Sequence, residues 1–329
     1  MIDISILIPN VVILVLLIVP GYLIAKFRLA GDGFGKGLSN VVLYIAQPAL
    51  FIAGYVTVDA TREVALRMVA TFVLACLFHL FFYATGCLVF RRAPEARKKV
   101  LIFSTVFTNA GYMGLPLLEA LFFETHPEIT IYGTVYCLAF NVMGWSLGAY
   151  IYTKDKQYIS IKKIILNPAT ISCLVGILFF TFSAFPVLRN SVVVPLFRSP
   201  DSIVYSLMNS LKALVAPLSM FVTGLRIAQL KLKPLLKDAR LYTNFVLTLL
   251  ILPAAVFGFM KLLSLAGLYH DDLTMTVLLM SAAAPAAAMT CMFAEKFDGD
   301  GVYASAIVSL TSILCVVSMP LVCSLAQFY

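Results

Sequence analysis

Charge is scarce in this sequence. Asp, Glu, Lys and Arg supply 12% of its 329 residues, against 61% hydrophobic residues and a mean hydropathy of +0.98. That balance excludes a soluble domain and points to a polytopic helical membrane protein embedded among lipids. Long polar connections are missing as well. The longest, around Pro186 to Ser202, is short and broken by proline, so no nucleotide domain fits and a primary pump is excluded. Catalytic signatures are absent: there is no H-E-x-x-H, no G-x-S-x-G, no P-loop and no paired aspartate motif at membrane depth. The chain reads as a non-enzyme without a cofactor. Its seven cysteines include no C-x-x-C pair and fall almost entirely in hydrophobic stretches, which argues against a disulfide framework or a metal centre. A net charge of +8 would suit nucleic acid only if the basic residues formed a patch, and they alternate between loops instead. Met1 to Phe27 lacks a basic n-region and a small-residue cleavage site, so it reads as a first transmembrane helix rather than a removable signal.

What is there is a series of hydrophobic spans. Ten are read, at roughly 4–25, 38–57, 64–90, 100–122, 130–152, 167–185, 205–228, 241–268, 273–295 and 302–326, each near the ~20 residues that cross hydrocarbon. The expected fold is an all-α polytopic membrane protein, one transporter domain over residues 1–329. Orientation follows from the basic residues. Loops after odd spans hold Lys26, Arg28, Lys36, Arg91, Arg92, Arg97, Lys98, Lys99, Lys154, Lys156, Lys162, Lys163, Lys231, Lys233, Lys237, Arg240 and Lys296; loops after even spans hold Arg62, Arg67, Arg189 and Arg198. The odd loops are therefore expected in the cytoplasm and both termini outside. Lys212, Arg226 and Lys261 sit within spans or at their ends.

An internal repeat is also visible. Asn40 and Pro48 of span two stand 169 residues before Asn209 and Pro217 of span seven, and Pro116 of span four stands 169 before Pro285 of span nine. Five spans per half is odd, so halves at about 1–155 and 160–329 would enter the membrane in opposite senses. This is the inverted repeat of many secondary transporters, with broken helices in corresponding positions.

The most unusual stretch is Phe107-Thr-Asn-Ala-Gly-Tyr-Met-Gly-Leu-Pro116. Two glycines, a proline and an asparagine inside an apolar span predict a break at Pro116, and Ser281-Ala-Ala-Ala-Pro-Ala-Ala-Ala-Met-Thr290 predicts another at Pro285. Backbone groups freed in hydrocarbon are tolerated only when buried in protein or lining a wet cavity. Where the breaks approach each other, half-helix N-termini suit an anion such as a carboxylate. The candidate substrate-binding residues are Asn109, Gly111, Tyr112, Gly114, Pro116, Asn167, Ser281, Pro285 and Thr290; Thr108 adds a hydroxyl, and Met113 and Met289 apolar walls. The alternative is a kinked helix packed tightly through its glycines. Asn167-Pro168 reads either as a helix start or as a polar contact below the site. Gln47-Pro48 reads as scaffold, and Asn141 could face the crossing. Two residues are candidates for ion coupling: Glu119, or else a residue snorkelling to the outer surface, and His79, or else a neutral histidine bonded to a helix carbonyl. His126-Pro127-Glu128 and His270-Asp271-Asp272 read as solvated outer turns.

Asn109-Ala-Gly-Tyr-Met-Gly-Leu-Pro116 resembles the N-x-x-x-M-G-I/L-P signature of the auxin efflux carrier family, to which the plant PIN-FORMED carriers belong. Leu166-Asn-Pro-Ala-Thr-Ile-Ser-Cys-Leu-Val-Gly176, Pro217-Leu-Ser-Met-Phe-Val-Thr-Gly224, and Pro285 with Phe293-Ala-Glu-Lys-Phe297 resemble its sixth-, seventh- and ninth-span segments in order. The lack of a long central loop favours the short prokaryotic branch. The resemblance implies a fold like the bile-acid symporters and sodium/proton antiporters. Spans one, two, six and seven would form a scaffold and the rest a moving domain around crossing spans four and nine. It also implies elevator-like alternating access, a homodimer, and substrate contact through Asn109, Pro116, Pro285 and Asn167. Ala169 replaces a second asparagine of the plant members, which puts an auxin-like site in doubt. The expectation is a plasma-membrane carrier of a small organic anion, of the malate, malonate or lactate kind. The alternatives are a sodium- or proton-coupled symporter and a ligand sensor without flux.

Overall fold

The computed structural model describes residues 2–31, 33–155, 157, 161–185, 193–230 and 235–329. Met1, Lys156, Arg189, Lys231, Lys233, the Lys163 side chain and the 186–192 part of the longest connection, all used above, lie outside the described residues. Among those described, secondary structure is helical, with one isolated β-bridge. Seven helices are long and apolar enough to cross a membrane: α1 (Ile4–Lys26), α2 (Phe34–Val56), α3 (Arg62–Val89), α5 (Ile129–Thr153), α7 (Ile203–Ala228), α8 (Ala239–Leu265) and α10 (Gly301–Phe328). Span six is the shorter apolar helix α6 (Pro168–Ser183). Spans four and nine are each split, into α4a (Glu95–Val106) with α4b (Ala110–Phe122), and α9a (Asp272–Ala283) with α9b (Met289–Lys296).

Local sequence explains where these helices start. Asp3, Thr61, Asn167, Ser202, Asp238, Asp271 and Asp300 each accept a hydrogen bond from a first-turn N–H, at 2.7–3.2 Å. Such caps satisfy N–H groups that a helix cannot satisfy itself. Interior prolines have a recurring solution. The π turns Val42–Ala46, Ala110–Gly114 and Leu247–Ile251 stand directly before Gln47-Pro48, Leu115-Pro116 and Leu252-Pro253. A proline ring clashes with the carbonyl four residues back and offers no N–H to it; a π turn shifts the bonding register there, so the helix bends and continues.

Packing is dense within two sets of helices that also touch each other. α7 lies on α1 and α2, and α6 on α2; α3 packs on α5 and α4a, α8 on α9a, and α10 on α9a, α9b and α4a; across the two, α1 and α7 pack on α10, and α2 and α6 on α5. The α1–α7 crossing is close because both sides are glycine. A Cβ on Gly21 would stand 2.0 Å from the Phe221 carbonyl oxygen, and one on Gly224 2.0 Å from that of Ile18.

Ion clusters tie the second group at both ends of α3. At one end the Arg97 guanidinium bonds Asp238 at 3.0 Å and Asp300 at 3.2 Å and lies 4.9 Å from the Tyr303 ring centre, joining the starts of α4a, α8 and α10. At the other, Arg67 bonds Asp271 at 2.6 Å and Glu63 at 2.7 Å. Asp271 is therefore buried, not a solvated turn as expected. With Arg67, His126, Glu128, His270 and Asp272 it lines a cleft of about 360 Å³.

Candidate functional site

The two split helices meet at their interruptions. α4a ends at Val106, Phe107 is extended (φ −110°, ψ 107°), and turns resume at Ala110. α9a ends at Ala283, Ala284 is extended (φ −64°, ψ 152°), and turns resume at Met289. The two extended segments run antiparallel, with Thr108 bridged to Ala286. The Asn109 N–H donates to the Pro285 carbonyl at 2.6 Å and the Ala287 N–H to that of Phe107 at 2.9 Å. The Thr108 hydroxyl donates to the Ser281 carbonyl at 2.6 Å. In a continuous helix the N–H of residue 285 would serve that carbonyl, but residue 285 is proline. From α10, the Thr311 hydroxyl accepts the Ala286 N–H at 3.2 Å. The crossing thus satisfies most of its own broken backbone, as apolar surroundings require.

The interruption in span four lies at 107–109, not at Pro116. Pro116 sits in the first turn of an α-helical stretch behind the π turn, which removes the clash that would have broken the helix there.

Part of what the crossing leaves unsatisfied among the described residues lies at the start of α4b. Asn109 (φ −79°, ψ 47°) turns the chain so that the N–H groups of Ala110, Gly111 and Tyr112 reach no acceptor among the described residues. The Asn109 side chain, only 6% exposed, has no hydrogen-bond partner among them either. Gln47 approaches this corner from α2: the Tyr112 hydroxyl donates to its Oε1 at 3.4 Å, and a Cβ on Gly111 would lie 3.4 Å from its Nε2. Gly114 faces α9a, where an added Cβ would stand 3.7 Å from the Ser281 Cα. Ser281 and Thr290 are buried, and the Thr290 hydroxyl has no partner.

Other candidates are engaged elsewhere. The Asn167 Oδ1 caps α6 by accepting the Ala169 N–H at 2.9 Å, and the Asn141 amide donates to the Cys137 carbonyl of its own helix at 2.8 Å. His79 is fully buried, with Nδ1 2.6 Å from the Ala75 carbonyl and its ring against Phe107 and Tyr136. Glu119 is paired with Lys212 of α7 at 3.3 Å and accepts the Thr130 hydroxyl at 3.3 Å, so it does not snorkel alone. Sequence reasoning missed Gln47 and Lys212 as contacts of the split helices. The available signal was a polar or ionisable side chain at membrane depth.

Membrane-length helices around two broken helices that meet at their breaks define a polytopic membrane transporter. A family model described as membrane transport protein matches residues 6–156 and 152–323. The chain belongs to this family, that of the auxin efflux carriers. It is 25% identical over 300 residues to an uncharacterized transporter of Methanocaldococcus jannaschii, covering 88% of this chain and 89% of the relative. It is also 25% identical over 316 residues to an uncharacterized transporter of Methanothermobacter thermautotrophicus, covering 95% of each.

Proposed function

We propose that this protein is a secondary transporter of a small organic anion, with the carboxylate bound at the start of α4b. One observation carries the reading: three successive first-turn N–H groups of α4b and the adjacent, buried Asn109 amide have no protein partners among the described residues. All can donate, the positive end of a helix dipole adds to them, and a carboxylate accepts from several donors at once. Gln47 and Tyr112 would border the ligand from the side, Ser281, Pro285 and Thr290 from α9. The reading includes ten spans as two inverted halves, in the plasma membrane with both termini outside. The group α1, α2, α6 and α7 acts as scaffold, homodimeric as the family resemblance implies, and the other group carries the site across. Glu119 is paired with Lys212 and His79 bonds its own helix, so neither is given an ion-coupling role.

The test is thermal stabilisation of the purified protein by mono- and dicarboxylates, followed by flux in liposomes, with Asn109→Ala alongside. A ligand that binds only the folded state raises the melting point by mass action. Losing one hydrogen bond to a charged group, about 1.5–3 kcal/mol, should weaken binding roughly 10- to 150-fold. Undiminished binding and flux in Asn109→Ala would overturn the site. Binding without flux would make the protein a sensor.

A further inference from the structure

The seam between α3 and α8 is closed in its middle and open at one end. The Phe78 and Phe259 rings meet edge to face across it, 5.5 Å between centres. Toward the end of α3 a groove of about 400 Å³ opens between Val89 and the α8 residues Tyr242, Thr243, Val246, Leu247 and Ile251. The π turn Leu247–Ile251 lays this floor: it adds one residue to the turn, which brings Ile251 rather than Leu250 into line with Val246. Val246 and Ile251 are 48% and 53% exposed, so the groove faces the hydrocarbon. Polar groups gather at its mouth. The Tyr242 hydroxyl folds back to donate to the Leu236 carbonyl at 2.9 Å, and the Thr243 hydroxyl donates to the Ala239 carbonyl at 3.2 Å. Four exposed cations lie next to these residues in the chain: Arg91 and Arg92 in the turn just past Val89, Lys237 and Arg240 just before Tyr242. Arg240 leans on Asp238 at 3.6 Å, and Asp238 is already bonded to Arg97 at 3.0 Å. The next carboxylate after Arg92, Glu95, is taken by Lys98 at 3.8 Å. Arg91, Arg92 and Lys237 make no side-chain ion pair among the described residues.

Acyl chains are as apolar as such a lining, so hydrocarbon fills the groove without selecting one lipid from another. Selection comes from the head group, and basic clusters at the ends of transmembrane helices attract anionic ones. Orientation by positive charge accounts for basic residues in these connections. It does not account for an apolar groove that ends between them. We propose that the groove is a docking site for an anionic phospholipid, with one acyl chain lying along α8 from Ile251 to Tyr242 and the phosphate met by Arg91, Arg92 and Lys237. The bound lipid joins the end of α3 to the start of α8, beside the Arg97 bonds that already hold α8 to α4a and α10. The inference stands apart from the identity of the transported solute.

The experiment titrates the purified full chain, in uncharged detergent, with phosphatidylglycerol or with phosphatidylcholine of the same acyl chains, and reads affinity from thermal stabilisation. The wild type should bind phosphatidylglycerol more tightly. Two basic residues near a lipid surface together contribute about 30-fold, so Arg91→Gln with Arg92→Gln should lose about that much affinity for phosphatidylglycerol and none for phosphatidylcholine. Lys26→Gln with Lys36→Gln removes the same charge at the α1–α2 turn, which does not line the groove, and should leave both affinities unchanged. Val246→Trp fills the groove from its exposed side and should weaken phosphatidylglycerol binding with every cation in place. Equal affinity of the wild type for the two lipids overturns the site. So does an equal loss in the two double variants, which would show a response to net charge alone, and so does undiminished phosphatidylglycerol binding by Val246→Trp.

Discussion

Replacing Thr108 by valine changes little in shape but removes the one side-chain hydrogen bond that joins the extended segment of α4 to α9a, the 2.6 Å donation to the Ser281 carbonyl. Both residues are buried, and the donor that a helix would supply to that carbonyl is missing because residue 285 is proline. Thr108→Val therefore does more than delete a bond. A neutral hydrogen bond contributes about 0.5–1.5 kcal/mol net, and an orphaned buried acceptor costs roughly 1–3 kcal/mol. Interhelical bonds in membrane proteins average about 0.6 kcal/mol, because the unfolded chain finds partners in the membrane too. Ser281 has no such substitute in the folded state, so about 1–2 kcal/mol is expected. The assay is thermal unfolding in detergent, with Thr108→Ser keeping the donor and Asn109→Ala as the contrasting neighbour. Asn109 makes no side-chain bond among the described residues, so its loss should cost less stability than that of Thr108 while costing more binding. Equal stability of Thr108→Val and wild type would refute the account of the crossing. So would a greater loss of stability in Asn109→Ala.

Two further outcomes follow from contacts between the packing groups and within one of them. Gly224→Ala puts a Cβ 2.0 Å from a backbone carbonyl that cannot turn aside, so α1 and α7 must separate; overpacking of this kind costs about 1–3 kcal/mol, read as a lower melting point. An unchanged melting point would mean that the crossing is looser than its geometry. Glu119→Gln leaves Lys212 without its counter-charge at 3.3 Å, where the two side chains are only 16% and 18% exposed. Partial exposure puts the expected loss near 1–2 kcal/mol, below the ~3–5 of a fully buried pair. The double variant Glu119→Gln with Lys212→Met should recover part of it in a double-mutant cycle, whereas additive losses would show that the pair is not coupled.

Composition alone determined that this chain belongs in a membrane and is helical, because hydrocarbon leaves the backbone few other ways to satisfy itself. The glycine, asparagine and proline of residues 107–116, and Pro285, marked where two helices would be interrupted, since those residue types change backbone bonding locally. Helix starts were equally legible at Asn167-Pro168, where an amide cap and a first-turn proline act within a few residues of each other. The exact place of the first interruption was not. Whether Pro116 breaks a helix or sits behind a π turn depends on which carbonyls find partners across the crossing, and Pro285 and Ser281 lie far away in sequence. The same holds for charge. Asp271 looked like a surface turn until Arg67 was folded against it, and Glu119 looked alone until α7 brought Lys212 beside it. A side chain's chemistry is written in its own residue, but whether its bonds are already made depends on neighbours that only the tertiary structure supplies. Asn109 and Thr290 stand out for that reason: the fold leaves their side chains polar, buried and without protein hydrogen bonds among the described residues.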